Sequence, residues 1–293
     1  MASTHNLQAS RLFSVKDYVC VVTGGGSGIG LMAAQALAAN GAKVYITSRR
    51  QEVLENAVKS HDPKGTGGQI IALSPYDVTK KTDLEKMFEE LSKKEKYINL
   101  LVAAAGISSG KAEPDADKAT EMKAKLWDNE TFEDWANTYN TDVSSVYFTT
   151  VVLLPLLQAG TETHGHLSAS VIVISSMSGI MRHAQGHFSY NAAKGGTVHL
   201  TKLMSAEFQQ LSVRVNSIAP GYFPSEMTAK ESDENQKSHV PDEKIQEKGH
   251  VPQGRAGHDE EMAQAVLFLT KNAYVNGEII AVDGGVLNVV AGR

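Results

Sequence analysis

The chain has 293 residues and a formal charge of −5, with 28 basic residues set against 33 acidic ones. It is long enough for one large α/β domain or two small ones, and its dispersed cations form no basic stripe of the kind nucleic acids need. A single cysteine excludes an internal disulfide, residues 1–16 lack the apolar core of a secretion signal, and no uninterrupted apolar run reaches bilayer-spanning length, so the sequence reads as soluble and intracellular, most simply cytoplasmic.

The first element is an apolar run, residues 18–22, β-branched enough to be a buried strand. It feeds Thr23-Gly24-Gly25-Gly26-Ser27-Gly28-Ile29-Gly30. Residues 31–40 follow, with Ala33, Ala36 and Leu37 at helical spacing and Asn40-Gly41 as a stop. Strand, glycine turn and helix form the context in which glycines cradle a phosphate. The backbone turns tightly, approaches the ligand and presents the free N–H groups of the helix start to the anion. Gly30 is followed by Leu31 rather than Lys-Ser/Thr, which argues against a nucleoside-triphosphate loop. The spacing that fits is T-G-x-x-x-G-x-G, on Thr23, Gly24, Gly28 and Gly30. Alone, such a run is also compatible with a plain tight turn.

Further strands are predicted at 43–47, 69–73, 99–104, 171–175, 213–219 and 278–282. Between them lie helices at 51–59, from the capping box Thr82-Asp83-Leu84-Glu85, from a second box Thr131-Phe132-Glu133-Asp134 as far as 157, at 189–211, and from Asp259 as cap to 269. This alternation predicts an α/β fold, a doubly wound parallel sheet of about seven strands with helices on both faces, in a single domain covering 1–293. Segment 108–129 is polar and irregular, with room for a short helix. Stretch 224–253 is strongly charged and holds Pro224, Pro241 and Pro252. It reads as a mobile lobe over the sheet, and with its flanks (222–257) as the substrate-binding part of the domain.

The end of the second strand selects the cofactor. A carboxylate there suits the ribose hydroxyls of NAD, whereas a cation and a hydroxyl suit the 2′-phosphate of NADP. This chain has Thr47-Ser48-Arg49-Arg50 and no carboxylate before Glu52; Arg49 can grip a phosphate as a fork, with Arg50 beside it in the cofactor-binding set, and Ser48 can add a bond. In Tyr190-Asn191-Ala192-Ala193-Lys194 the phenol and the ammonium stand four apart, on one helical face. Free tyrosine ionises near ~10, and a neighbouring cation together with an oxidised nicotinamide ring stabilises the phenolate. Just upstream a strand ends in Ser175-Ser176-Met177-Ser178-Gly179, at the sheet edge where open α/β folds place ligands.

These residues resemble the short-chain dehydrogenase/reductase family over nearly the whole chain. The glycine run is similar to its TGxxxGxG, and Tyr190 with Lys194 to its Tyr-x-x-x-Lys. The resemblance implies a Rossmann-type fold with NADP, as NADPH, for cofactor. It assigns Ser176 as the catalytic serine and Asn140 as the helix asparagine that holds a proton-relay water. Asp77 and Val78 fall where the adenine is contacted, and Ala104 and Gly106 replace part of an Asn-Asn-Ala-Gly after the fourth strand. Asn216 with Pro220, Gly221, Phe223 and Ser225 matches the nicotinamide-amide segment, and Val282-Asp283-Gly284-Gly285 the family's C-terminal Asp-Gly-Gly. The expected activity is reduction of a ketone (β-ketoacyl, polyketide-type or aromatic) with Tyr190 as general acid. The expected assembly is a homotetramer, or else a dimer, paired through the two long helices.

Three departures accompany the match. Ala103-Ala104-Ala105 lacks both asparagines. The loop to Tyr190 is one residue longer, which makes Ser178 a second candidate hydroxyl, and 108–129 is longer than its counterpart. His164, His166, His183 and His187 show no recognised zinc spacing, so no metal is expected. Trp127 and Trp135 are expected to pack near the pocket, and Met177 and Met181 can line its mouth. Two other classes stay open, a non-redox isomerase or cyclase reusing the cleft and a cofactor-sensing binding protein without turnover.

Overall fold

Runs such as Val-Cys-Val-Val and Val-Ile-Val-Ile have no polar alternate, so both faces of the strands they form must be covered. A computed structural model describes residues 4–65, 67–166, 168–229 and 232–290. Residues 1–3, 66, 167 and 291–293 of the expected 1–293 domain, and 230–231 of its lobe, lie outside the described residues. The strands are β1 (Val19–Thr23), β2 (Lys43–Thr47), β3 (Gln69–Ala72), β4 (Leu100–Ala103), β5 (Ser170–Ile174), β6 (Arg214–Pro220) and β7 (Ile279–Val282). They make one seven-stranded sheet in the order β3-β2-β1-β4-β5-β6-β7, and every pair is parallel.

The main helices are α1 (Gly28–Ala39), α2 (Gln51–His61), α3 (Lys81–Lys94), α4 (Ala119–Trp127), α5 (Phe132–His164), α6 (Phe188–Phe208) and α7 (Asp259–Lys271). Neighbouring strand residues send their side chains to opposite faces, so each strand feeds two cores. Val22, Ile46 and Ile172 pack with Leu31 and Leu37 of α1 and Met262 and Val266 of α7. Val21, Tyr45, Leu101 and Val171 pack on the other face with Leu84, Met87 and Leu91 of α3, Leu153 and Leu157 of α5, and Met204 of α6. The doubly wound arrangement is as the sequence predicts.

Several helix ends differ from expectation. Thr82 is not a cap: α3 begins at Lys81, and Asp83 instead accepts from the Asp77 N–H (3.1 Å). Thr131 does cap α5, accepting from Asp134 N at 3.1 Å. That helix runs on past 157 to His164, because Gly160 lets it settle on β4's approach; a Cβ there would meet the Ile98 carbonyl oxygen at 2.1 Å. At 33 residues α5 is long and apolar enough, by length and composition, to cross a membrane. Half of its most apolar window is buried inside the protein, where it covers the sheet.

The cap of α7 is His258, not Asp259, and Asp259 pairs with Lys237 of the lobe. Glu261 closes this helix start by accepting from His258 N (2.8 Å) and from Arg255 (2.6 and 3.0 Å). The Arg255 guanidinium and the His258 N–H hold the Glu261 carboxyl down to about 2, from an ordinary 4.5. A carboxyl depressed in the folded state contributes stability above its unfolded value, and that contribution disappears as pH falls through its folded one. Glu261→Gln should therefore lower the melting temperature by a few degrees at neutral pH. It should also flatten the decline between pH 4.5 and about 2, which thermal unfolding scans across that range would show.

The lobe at 222–257 holds two short helices, Glu226–Ala229 and Asp242–Gln246. Val240, Ile245 and Ala256 pack under it with Tyr222 and Val251. Segment 108–129 contains α4, none of whose residues is buried. Trp127 is 74% exposed and Trp135 41%, so neither is the packing residue expected of it.

Candidate active site

Chain order reverses between β1 and β4, and the connections leaving those two strands diverge to open a crevice at their C-terminal ends. Its floor is the 24–30 turn. Gly24 holds a φ of +66°, and a Cβ there would stand 2.9 Å from the Ala105 backbone; one on Gly30 would stand 2.2 Å from the Gly24 carbonyl oxygen. Only hydrogen fits at both positions. No side chain caps the start of α1, which leaves its first N–H groups to an anion.

Gly24, Gly28, Ile29 and Gly30 line the crevice, as do Ser48, Arg49, Arg50, Asp77 and Val78 at its β2–β3 end. Ala104, Gly106, Pro220, Gly221, Phe223 and Ser225 line the other half. Thr23 does not: it is buried at the end of β1, where its Oγ1 accepts from Ala105 N at 3.4 Å. Asn216 also lies elsewhere, tying β6 to the approach of β7 by donating to Val275 O (3.0 Å) and accepting from Glu278 N (3.0 Å).

The two arginines have different fates. Arg50 Nη2 donates to both Glu226 oxygens, at 2.7 and 2.9 Å, and so draws the short 226–229 helix across the end of β2. Arg49 has no ion pair or hydrogen bond among the described residues and is exposed at the crevice. It is the cation with its fork still to fill. Half-buried Asp77 accepts from Thr79 N (3.0 Å) and Thr79 Oγ1 (2.6 Å). Burial pushes its carboxyl up, but those bonds and Lys80 outweigh burial and leave it below its ordinary value.

Beyond β5 the reactive side chains converge. Ser176 and Ser178 both line the crevice and both are buried. Ser176 Oγ accepts from Ser178 N (3.1 Å), which uses a lone pair and leaves its O–H to donate. On α6, Tyr190 and Lys194 face the same space, the ammonium 5.6 Å from the centre of the phenol ring. Lys194 is buried and donates to Ile174 O at 3.1 Å.

The expected relay residue is not where the sequence reading puts it. Asn140 is exposed on the outer side of α5, and its Oδ1 accepts only from Ser144 Oγ at 3.5 Å among the described residues. Asp142 reaches the crevice instead. Its Oδ2 lies 3.3 Å from Lys194 Nζ, and its Oδ1 accepts from Ile107 N at 2.8 Å. A π-helical stretch, Asn140–Ser144, sets this part of α5. Residues two apart on a helix face nearly opposite ways. The signal was in the periodicity: Asp142 lies in line with buried Val146, Thr149 and Leu153, and Asn140 with Ser144 and exposed Tyr147. Burial works to lower the Lys194 ammonium, but the Asp142 carboxylate outweighs it, and the net shift is upward.

Sequence reasoning also missed Gln185, which meets the 222–257 lobe at the mouth of the site. Gln185, at a φ of +52°, donates to Tyr222 Oη (3.0 Å), and His250 Nε2 lies 3.0 Å from the same oxygen. Gln185 and Tyr222 line the crevice with Tyr190. Met177 and Met181 pack beside it with Val286 and Leu287. The histidines considered for a metal scatter: His164 meets Asn99, His166 meets Ser212, and His183 and His187 lie on the loop before α6.

An anion cradle at the switch point, beside a paired phenol and ammonium, suits hydride transfer with a nicotinamide dinucleotide. This places the molecule among the dinucleotide-dependent oxidoreductases. Residues 24–287 match the family profile described as enoyl-(acyl carrier protein) reductase. The chain is 38% identical to the short-chain dehydrogenase/reductase PhomF of Diaporthe leptostromiformis, over 98% of this chain and 97% of that one. It is 30% identical to the 3-oxoacyl-[acyl-carrier-protein] reductase FabG of Thermotoga maritima, over 92% and 97%. Its structure resembles the NADP active-site complex of Pseudomonas aeruginosa RhlG, with a TM-score of 0.76 at 28% identity, over 94% and 98% of the two chains. The protein belongs to the short-chain dehydrogenase/reductase family.

Proposed function

We propose that the protein is an NADPH-dependent ketone reductase in which Tyr190 is the general acid. The observation that carries this reading is the placement of Ser176, Tyr190 and Lys194 on one wall of the crevice whose floor is the glycine cradle. The cradle fits a dinucleotide, because its two critical positions have no room for a Cβ and the helix start above them is uncapped. In this reading the 24–30 turn holds the pyrophosphate, Arg49 and Ser48 the 2′-phosphate, and Asp77 and Val78 the adenine. Ala104, Gly106, Pro220, Gly221, Phe223 and Ser225 surround the nicotinamide. Lys194 holds the ribose.

When bound, the cofactor supplies the hydride. The chain's own groups handle the oxygen. Tyr190 and Ser176 donate to the substrate carbonyl, which favours the charge that builds on oxygen, and Tyr190 then releases its proton to it. The family profile's description names enoyl reduction, whereas FabG is named for a ketoacyl substrate. Two hydroxyls converging beside an ammonium suit an oxygen acceptor better than a carbon one, and this favours the ketone. We place the activity in the cytoplasm, with the protein assembled as a tetramer or dimer through α5 and α6. Phe132, Trp135 and Tyr139 support that contact, being exposed at one-face helical spacing on α5.

The test is loss of NADPH absorbance with a panel of ketones. Consumption with a ketone supports the proposal. Product without consumption would favour the isomerase or cyclase class, and tight binding without either would favour a sensor. For cofactor choice, Arg49→Ala should cut kcat/KM for NADPH by about 10-fold or more while leaving NADH nearly unchanged. Steady-state kinetics with the two cofactors would show it.

A further inference from the structure

Asp142 puts a negative charge in the middle of this site. The carboxylate is fully buried, and among the described residues its Oδ2 has the Lys194 ammonium beside it but no hydrogen-bond partner. Gly106 and Ile107 close over the pair: Ile107 N donates to Oδ1, and a Cβ on Gly106 would stand 3.3 Å from Oδ1 and 3.5 Å from Lys194 Nζ. Thr197 Oγ1 donates to the Asp142 carbonyl at 2.9 Å, which locks this turn of α5 against α6. A buried pair of this kind adds little to stability over an apolar one. Its other effect is electrostatic. An ammonium with a carboxylate at 3.3 Å presents much less positive potential to a phenol 5.6 Å away than an ammonium alone.

The charges acting on Lys194 come from Asp142 on α5 and from Tyr190 on its own helix. Other titratable groups stand toward the ends of the crevice. Asp77, Arg49, Arg50 and Glu226 lie at the β2–β3 edge, and Tyr222, His250, His183 and His187 at the mouth or on the loop before α6.

Resting on the reductase reading, we propose that Asp142 is a positioning residue that biases the site toward ketone reduction. By offsetting the Lys194 charge it keeps the proton on Tyr190 to higher pH. The phenol that must donate in reduction is thereby favoured over the phenolate that must accept in alcohol oxidation. In reduction the Tyr190 O–H bond breaks as the substrate oxygen gains that proton and its carbon gains hydride from NADPH; oxidation reverses each step.

The test is Asp142→Asn, which keeps an oxygen for Ile107 N and removes the charge. Ionisation of Tyr190 is read by tyrosinate absorbance against pH in the Asp142→Asn protein and in the parent, each with its Tyr190→Phe control. This readout needs no turnover. Tyr45, Tyr76 and Tyr222 are displaced upward by burial, which keeps them clear of the signal. The expected result is that Tyr190 ionises lower in Asp142→Asn by about 1 pH unit or more. The pH at which alcohol oxidation is half-maximal should fall by the same amount. If Asp142→Asn does not fold, Asp142→Ser removes the same charge in a smaller volume and carries the same expectation. An unchanged or higher ionisation pH would overturn the proposal. A downward shift in a protein that reduces no ketone would leave the electrostatic role standing and reject the reductase reading instead.

Discussion

Replacing Tyr190 by phenylalanine should lower ketone turnover by about 10²–10⁴-fold while NADPH affinity changes little. The substitution removes one oxygen and keeps the ring, so the wall of the crevice and the position of Lys194 remain. What disappears is, among the described residues, the only acid on that wall able to release a proton to an alkoxide: Ser176 can donate a hydrogen bond, and Lys194 is turned to Asp142 and Ile174. A loss interaction-by-interaction in kcat, with substrate KM nearly constant, marks a group that acts in the transition state. Turnover within a few-fold of the parent would remove Tyr190 from the mechanism, and Ser178, also buried on that wall, would be the hydroxyl to examine next.

Lys194→Met should have two separable consequences. It leaves the Asp142 carboxylate buried without its counter-ion, and breaking a buried pair from one side costs about 3–5 kcal/mol. Denaturant unfolding should show this as a lower midpoint with an unchanged slope. It also removes the ammonium beside Tyr190, so turnover should fall even where the protein is fully folded. Adding Asp142→Leu should recover most of the stability, since an apolar pair of similar volume avoids the stranded charge. Turnover should stay lost. If the double variant regains activity as well, the ammonium has no part in the reaction. If the single variant is as stable as the parent, the carboxylate is not buried as described.

The scaffold was legible because its rules are local. Strand runs without a polar alternate, a glycine turn between strand and helix, and Tyr190 one turn before Lys194 are each readable within a dozen residues. What stayed hidden depends on partners far away in the chain. Arg49 and Arg50 both fall in the cofactor-binding set by sequence, and only the fold shows Glu226 taking Arg50. Thr82 lost its role as a cap because the helix starts one residue earlier, at Lys81. Asn140 matches the family's helix asparagine by residue type, whereas the burial rhythm of the helix favours Asp142, whose carboxylate meets Lys194 more than fifty positions later. The mouth formed by Gln185, Tyr222 and His250 had no local signal, since a loop and a lobe meet there only in the folded chain.

The most direct measurement follows the hydride itself. The protein is supplied with NADPH carrying deuterium on the transferable face of its C4 and with a ketone that it consumes, and the alcohol is examined by NMR. Deuterium is expected on the carbinol carbon in an amount equal to the cofactor oxidised, and lower by about 10²-fold or more in the Tyr190→Phe protein over the same interval. Alcohol formed without the label, or cofactor oxidised with no alcohol, would contradict it.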